Sequence, residues 1–245
     1  MKPSKFFVID EIEKMLIQKP DLAIGDLGSG QSKNFIELLK KYPQMRYVGF
    51  EPNKSEAAQA RTILKSFPTA SVEGRLGYGE DEERWRGMFD VVVSLSVLEH
   101  VKDLETFLQF SVDLLKSNGR IIHLYDLGHA LYPSNLKEHF HVALCNLSKK
   151  YSFVKKLIPE TKFAAYVNFS RVTDTLQQGG VKIEKVTWHN NPSLVALLKN
   201  THTSDLHEIL SLVNILEEKI SATTKDIHIL EKMLPAVCIW GTKKG

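Results

Sequence analysis

The stretch Phe89–Leu95, FDVVVSL, holds apolar side chains at five of its seven positions, without the alternation of a strand that faces water on one side. Such a strand is buried on both faces, so the chain that carries it needs helices above and below its sheet. The flanking sequence supplies them. Apolar runs at Leu22–Leu27, Met45–Phe50, Ala70–Leu76, Arg120–Leu127, Val181–Trp188 and Ala236–Thr242 read as further strands. Between them, helical spacing predicts helices over Phe6–Gln18, Phe35–Lys41, Leu104–Lys116, Arg171–Gln178 and Leu206–Ile220. Another helix ends at Leu64 and is capped by Asn53 or Ser55. Lys19-Pro20-Asp21 closes the first helix, and Ser117-Asn118-Gly119 closes the one that begins at Leu104. The alternation predicts an α/β protein with a doubly wound, mostly parallel sheet.

One domain accommodates the 245 residues. Its expected parts are a nucleoside-binding half with its N-terminal helix (1–127), a helical cap insertion (128–170) and the rest of the sheet (171–245). The last part holds a second helical insertion at about 190–232. A net charge of +3 without a dense Lys/Arg block makes a nucleic-acid partner unexpected. Cys145 and Cys238 lie far apart and lack metal-ligand spacing, which predicts a reducing compartment. Asp10, Glu11 and Glu13 interrupt any signal-like core, and no stretch is long and apolar enough to span a bilayer. The expectation is a cytoplasmic protein.

The segment LAIGDLGSGQSKNF, Leu22–Phe35, puts a glycine turn between the first strand and the next helix. In open parallel sheets, ligands bind beyond the carboxyl ends of the strands, and glycines let the backbone approach them closely. A dinucleotide site needs a small residue where Lys33 stands, and a phosphate loop needs a Gly-Lys-Ser/Thr run that is absent. Asp26 repels phosphate and suits a cation. Glu51, which closes the second strand, suits a ribose diol. The combination describes a nucleoside with a positively charged tail.

GDLGSGQS, YVGFEPN, FDVVVSLSVLEHV and LLKSNGRIIH resemble, in order and spacing, the successive motifs of class I S-adenosylmethionine-dependent methyltransferases. The resemblance covers Leu22 to Asp126, and AVCIWGT is similar to that family's last strand. It implies a Rossmann-like, seven-stranded sheet with an antiparallel last strand. The implied cofactor is S-adenosylmethionine, with S-adenosylhomocysteine as product. It also implies that Asp26, Gly28 and Gly30 face the methionine part and Glu51 the ribose, with Ser29 and Pro52 among the cofactor-binding residues. Ser94 and Leu95 would lie near the sulfonium. Arg75 stands where the family often has an acid for the adenine, which leaves Leu76 as a backbone contact.

Methyl transfer to a hydroxyl or a protonated amine benefits from a base. The candidates are His100 in SVLEHV, and Asp126 and His129 after the fifth strand; each has a structural alternative, as a cap or a surface group. His123 lies inside a strand and reads as a core histidine. His129, His139 and His141 do not have the spacing of a metal site, so no metal is expected. FAAYVNFSRVTDTLQQGG is similar, more loosely, to a segment of bacterial methyltransferases of sugar and cell-surface polysaccharide pathways. Tyr132, Phe140, Tyr166 and Asn168 are candidates for an acceptor pocket. The expected acceptor is a small molecule or saccharide, methylated at oxygen. The alternatives are an RNA or protein methyltransferase, or a regulatory protein that binds the nucleoside without catalysis.

Overall fold

The computed structural model describes residues 2–74, 80–127, 136–148, 158, 163–199 and 206–245. In chain order the elements are α1 (Pro3–Gln18), β1 (Ala23–Leu27), α2 (Ile36–Lys41), β2 (Arg46–Phe50), α3 (Lys54–Leu64), β3 (Ala70–Glu73) and β4 (Phe89–Leu95). Then follow α4 (Leu104–Asp113), β5 (Leu115–Asp126), α5 (Leu136–Ser148), α6 (Phe169–Gln178) and β6 (Val181–His189). The chain ends with α7 (Pro192–Lys199), α8 (Leu206–Thr223), α9 (Ile227–Met233) and β7 (Ala236–Lys243). A 3-10 turn, Lys33–Phe35, leads into α2, and another, Leu98–His100, follows β4.

The strands form one sheet in the order β3-β2-β1-β4-β5-β7-β6. All are parallel except β7, which runs antiparallel between β5 and β6. Strand order reverses between β1 and β4, which opens a crevice at their carboxyl ends. The apolar runs are buried from both sides. Val91, Val93 and Leu95 of β4 meet α1, α2 and α3 through Val8, Ile12, Leu38 and Leu64. Val92 faces the other layer, with Phe107 and Leu108 of α4 and Leu176 of α6. Each such fully buried aliphatic side chain stabilises the fold by about 1.5–3 kcal/mol relative to exposure.

Several boundaries differ from expectation. α1 starts at Pro3, three residues before Phe6, because proline fits the first helical position and Pro3 and Ser4 are buried. α4 stops at Asp113, short of Lys116. The Leu114 carbonyl accepts the N–H groups of Met88 and Phe89, so the chain joins the sheet before Ser117-Asn118-Gly119 is reached. Asn53 rather than Ser55 caps α3, its Oδ1 accepting the N–H groups of Ser55 and Glu56. Among the described residues no helix is long and apolar enough to cross a membrane.

Candidate functional site

At the strand-order reversal, β1 runs into Gly28-Ser29-Gly30. Gly28 has φ +72°, and a Cβ there would stand 2.6 Å from Cγ2 of Val97, just past β4. Only glycine brings the turn this close to the segment after β4. Gly30, at φ +54°, is the opposite case. A Cβ there would meet nothing within 4 Å, so its outer side faces open space. The N–H groups of Gly28 and Ser29 both reach the Phe50 carbonyl, at 2.8 and 3.2 Å, which holds the turn against the end of β2.

Glu51 fixes the other edge. Its Oε2 accepts the Gly30 N–H at 2.8 Å and its Oε1 the Asn53 N–H at 2.7 Å. Two lone-pair positions on the carboxylate remain for a diol. Pro52 follows it, exposed. Gly49 packs under the turn, since a Cβ on it would stand 2.6 Å from Ser29 Oγ.

Asp26 is 1% exposed at the end of β1 and accepts a hydrogen bond from the Tyr47 hydroxyl at 2.8 Å. Burial pushes its pKa up to about 7, against the pull of Tyr47 and of the Lys5 ammonium. Glu99 is 2% exposed; burial raises its pKa to about 8, and its Oε2 has no hydrogen-bond partner among the described residues. Its Oε1 accepts the Asp126 N–H at 3.4 Å. Asp126, at the end of β5, is itself 7% exposed, and its Oδ2 is 2.7 Å from Nζ of Lys2, the residue that precedes α1.

The structure thus brings Asp26, Gly28, Ser29, Gly30, Glu51, Leu95 and Asp126 to the carboxyl edge of four neighbouring strands. Ser94 has its hydroxyl engaged in the core. Its side chain is fully buried, and its Oγ lies 2.7 Å from Nδ1 of His123, whose Nε2 lies 3.2 Å from Ser111 Oγ. That hydroxyl serves the core because alternate strand residues point to opposite sheet faces. Burial lowers the His123 pKa to about 3, so the imidazole is neutral, as expected of a core histidine. His100 donates through Nδ1 to the Phe163 carbonyl at 2.8 Å, which ties the turn after β4 to the segment before α6.

Of the candidate acceptor contacts, Asn168 is the N-cap of α6 and Tyr166 donates to Glu231 at 2.6 Å, so both are engaged in holding helices. Phe140 is 72% exposed on α5. Leu76, Arg75, His129 and Tyr132 lie outside the described residues. Among the described residues no group of three His, Cys, Asp or Glu is placed to hold a metal ion.

Sequence reading missed Tyr47, Lys2 and Lys5, and passed over Glu99 for its neighbour His100. Tyr47 carried a signal: it lies two residues before Gly49, whose register partner is Asp26, and so shares that strand face. Lys2 and Lys5 carried none beyond being the first two lysines of an amphipathic start.

The site residues fit a cationic nucleoside: open space beside Gly30, a buried carboxylate at Asp26 and diol-accepting positions on Glu51. Known proteins agree with that fit. Residues 26–121 match the family described as methyltransferase domain, whose members use S-adenosylmethionine. No curated protein matches the sequence. Among solved structures, a candidate sarcosine dimethylglycine methyltransferase of Galdieria sulphuraria is similar with a TM-score of 0.59 at 9% identity, over 98% of this chain and 85% of that one. The [4+2]-cyclase SpnF is similar with a TM-score of 0.59 at 9% identity, covering 98% and 80%. Geranyl diphosphate C-methyltransferase from Streptomyces coelicolor A3(2), crystallised with Mg2+, geranyl diphosphate and S-adenosyl-L-homocysteine, gives 0.57 at 10% identity, covering 96% and 79%. These likenesses show the fold. The chain has the class I S-adenosylmethionine-dependent methyltransferase fold, and its residues 26–121 match that family's methyltransferase domain.

Proposed function

We propose that this chain transfers the methyl group of S-adenosylmethionine to an oxygen of a small molecule or saccharide. The observation that carries the reading is the convergence of Asp26, the Gly28–Gly30 turn, Glu51 and Asp126 on one crevice. When bound, the cofactor supplies an electrophilic methyl on a sulfonium, which needs positioning more than activation. Asp26 would face its cationic end, the backbone of Gly28, Ser29 and Gly30 its methionine part, and Glu51, with Pro52 beside it, the ribose.

Oxygen is favoured by the carboxylate at the end of β5. Asp126 is a largely buried carboxylate that can accept a hydroxyl proton, and Lys2 holds it in place. His100 has its Nδ1 engaged in a structural bond and supports the loop more directly than it serves as a base. His129 remains a base candidate on sequence grounds alone. The cap insertion 128–170 would then carry the acceptor specificity.

The reading is tested by melting the protein with S-adenosylhomocysteine. A saturable rise in Tm for the wild type and none for Glu51→Ala is the expected result; no rise for the wild type overturns the cofactor assignment. Isotope-labelled S-adenosylmethionine with panels of hydroxylated small molecules, saccharides, RNA and protein then identifies the acceptor. Label transferred only to nitrogen, or only to a macromolecule, overturns the acceptor assignment.

A further inference from the structure

The acid near the end of β1 is held by a side chain of the neighbouring strand. In register Asp26 lies opposite Gly49, and Tyr47, two residues earlier on β2, lies opposite Ile24. Alternate strand residues share a face, so Asp26 and Tyr47 lie on one side of the sheet, with side-chain-free Gly49 beside them. Tyr47 is thus the diagonal neighbour of Asp26, a separation that a long aromatic side chain spans. Its hydroxyl donates to Asp26 Oδ2 at 2.8 Å, and both residues are at most 1% exposed.

The chain around the glycine turn fixes this arrangement. Phe35, which closes the 3-10 turn Lys33–Phe35, packs on the Tyr47 ring with centroids 5.1 Å apart. A Cβ at position 49 would stand 2.6 Å from Ser29 Oγ and 3.1 Å from Ser32 Oγ, so the turn closes down beside the phenol only over a glycine. Among the described residues, Tyr47 is the one hydrogen-bond partner of the Asp26 carboxylate, at Oδ2, which leaves Oδ1 for a ligand. Burial opposes ionisation of Asp26, and the hydrogen bond donated by Tyr47 does most to favour it. Of the charged groups that act on Asp26, the Lys5 ammonium of α1 favours the anion and the Glu51 carboxylate opposes it.

We propose that Tyr47 is a positioning residue for the cofactor: its hydroxyl holds the Asp26 carboxylate as the anion, with Oδ1 turned to the ammonium of the methionine end. This rests on the reading of the crevice as an S-adenosylmethionine site. It gives β2 two parts in recognition, the amino-acid end through Tyr47 and the ribose through Glu51. Tyr47 touches no ligand itself; it acts through Asp26.

The test compares S-adenosylhomocysteine with 5′-methylthioadenosine, which keeps the nucleoside and lacks the ammonium. Titration calorimetry from pH 6 to pH 8.5 would be run on wild type and on Tyr47→Phe, which removes one hydroxyl and keeps the ring. An ammonium ligand needs the Asp26 anion, so wild-type affinity for S-adenosylhomocysteine should fall about tenfold between pH 8 and pH 6. In Tyr47→Phe the fall should begin about one pH unit higher. The variant should therefore bind S-adenosylhomocysteine about tenfold more weakly than wild type at pH 6, yet within about twofold at pH 8.5. Its affinity for methylthioadenosine should equal that of wild type throughout. Rescue by pH is a sign that a packing defect would not give. The second readout needs no variant: the Tyr47 hydroxyl proton, followed by NMR in wild type, should shift with S-adenosylhomocysteine and not with methylthioadenosine. An unchanged affinity in Tyr47→Phe, a loss equal at both pH values or shared by methylthioadenosine, or a hydroxyl proton that answers both ligands alike, overturns the role of Tyr47 and leaves the cofactor site intact. Binding of neither nucleoside by the wild type removes the site and the role together.

Discussion

The carboxylate of Glu51 accepts the Gly30 N–H at 2.8 Å across 21 positions of sequence. Its second oxygen accepts the Asn53 N–H at 2.7 Å, so one side chain joins the turn after β1 to the start of α3. Glu51 is therefore structural before any ligand arrives. Glu51→Ala leaves both N–H groups without their acceptor and should destabilise the protein by about 2 kcal/mol, lowering Tm by about 4–8 °C. Glu51→Gln keeps one acceptor oxygen and should lose about half as much. Calorimetric melting of the three ligand-free proteins checks the order.

The two turn glycines should fail in different ways. Gly28→Ala places a methyl 2.6 Å from Val97 Cγ2 at a positive φ, so its defect is in folding, on the order of 2–4 kcal/mol. Val97→Ala should recover part of that loss. Gly30→Ala meets no atom within 4 Å, so it costs only about 1 kcal/mol of backbone strain but fills the open side of the turn. It should fold and bind S-adenosylhomocysteine at least tenfold more weakly. A Gly30→Ala protein that binds like wild type would show that ligand does not enter there.

Asp26 makes stability depend on pH. Its folded pKa, about 7, lies above the ordinary 3.8, so the folded chain holds a proton that the unfolded chain gives up. The stabilisation is full below pH 4 and is lost as pH rises through 7; Glu99 extends the window to about pH 8. Asp26→Asn can still accept from Tyr47 and carries no charge. It should raise Tm at pH 8 by an amount corresponding to about 1–3 kcal/mol, leave Tm at pH 4 unchanged, and abolish binding of S-adenosylhomocysteine. An unchanged Tm at pH 8 refutes the buried-charge account.

Ser94 separates core from site. Its hydroxyl is engaged with His123, so Ser94→Ala should destabilise by about 1–2 kcal/mol and leave affinity for S-adenosylhomocysteine within about twofold of wild type. A tenfold loss of affinity would place its side chain in the cofactor contact after all.

If Asp126 takes the acceptor proton, Asp126→Asn should lower kcat by about 100-fold or more. Affinity for S-adenosylhomocysteine should change little. Parallel losses in affinity and kcat would instead assign Asp126 to cofactor binding.

The sheet was legible because burial on both faces writes itself into composition. FDVVVSL could only be a covered strand, and Phe89–Leu95 is a strand with those bounds. The glycine turn was legible for a similar local reason, since Gly28 and Gly30 both have positive φ. Element ends were less so. Leu114 and Leu115 continue the apolar spacing of α4, yet their backbone is taken by Met88, Phe89 and the sheet, partners that are close only in space. The partner of Ser94 was not legible, because its proximity to the strand end is a property of sequence, while the direction of its hydroxyl depends on the buried imidazole on the neighbouring strand.

What the sequence determined by itself was the order of strands and helices, the turn that needs glycine and the acids that end β1 and β2. Periodicity, backbone conformation and charge are carried by neighbouring residues. What only the tertiary structure decided was the company each acid keeps: the Tyr47 hydroxyl on Asp26 and the Lys2 ammonium on Asp126. Pairing of Lys2 with Asp126 across 124 positions follows from how the start of α1 lies over the sheet, because groups that far apart in sequence meet only in the folded chain.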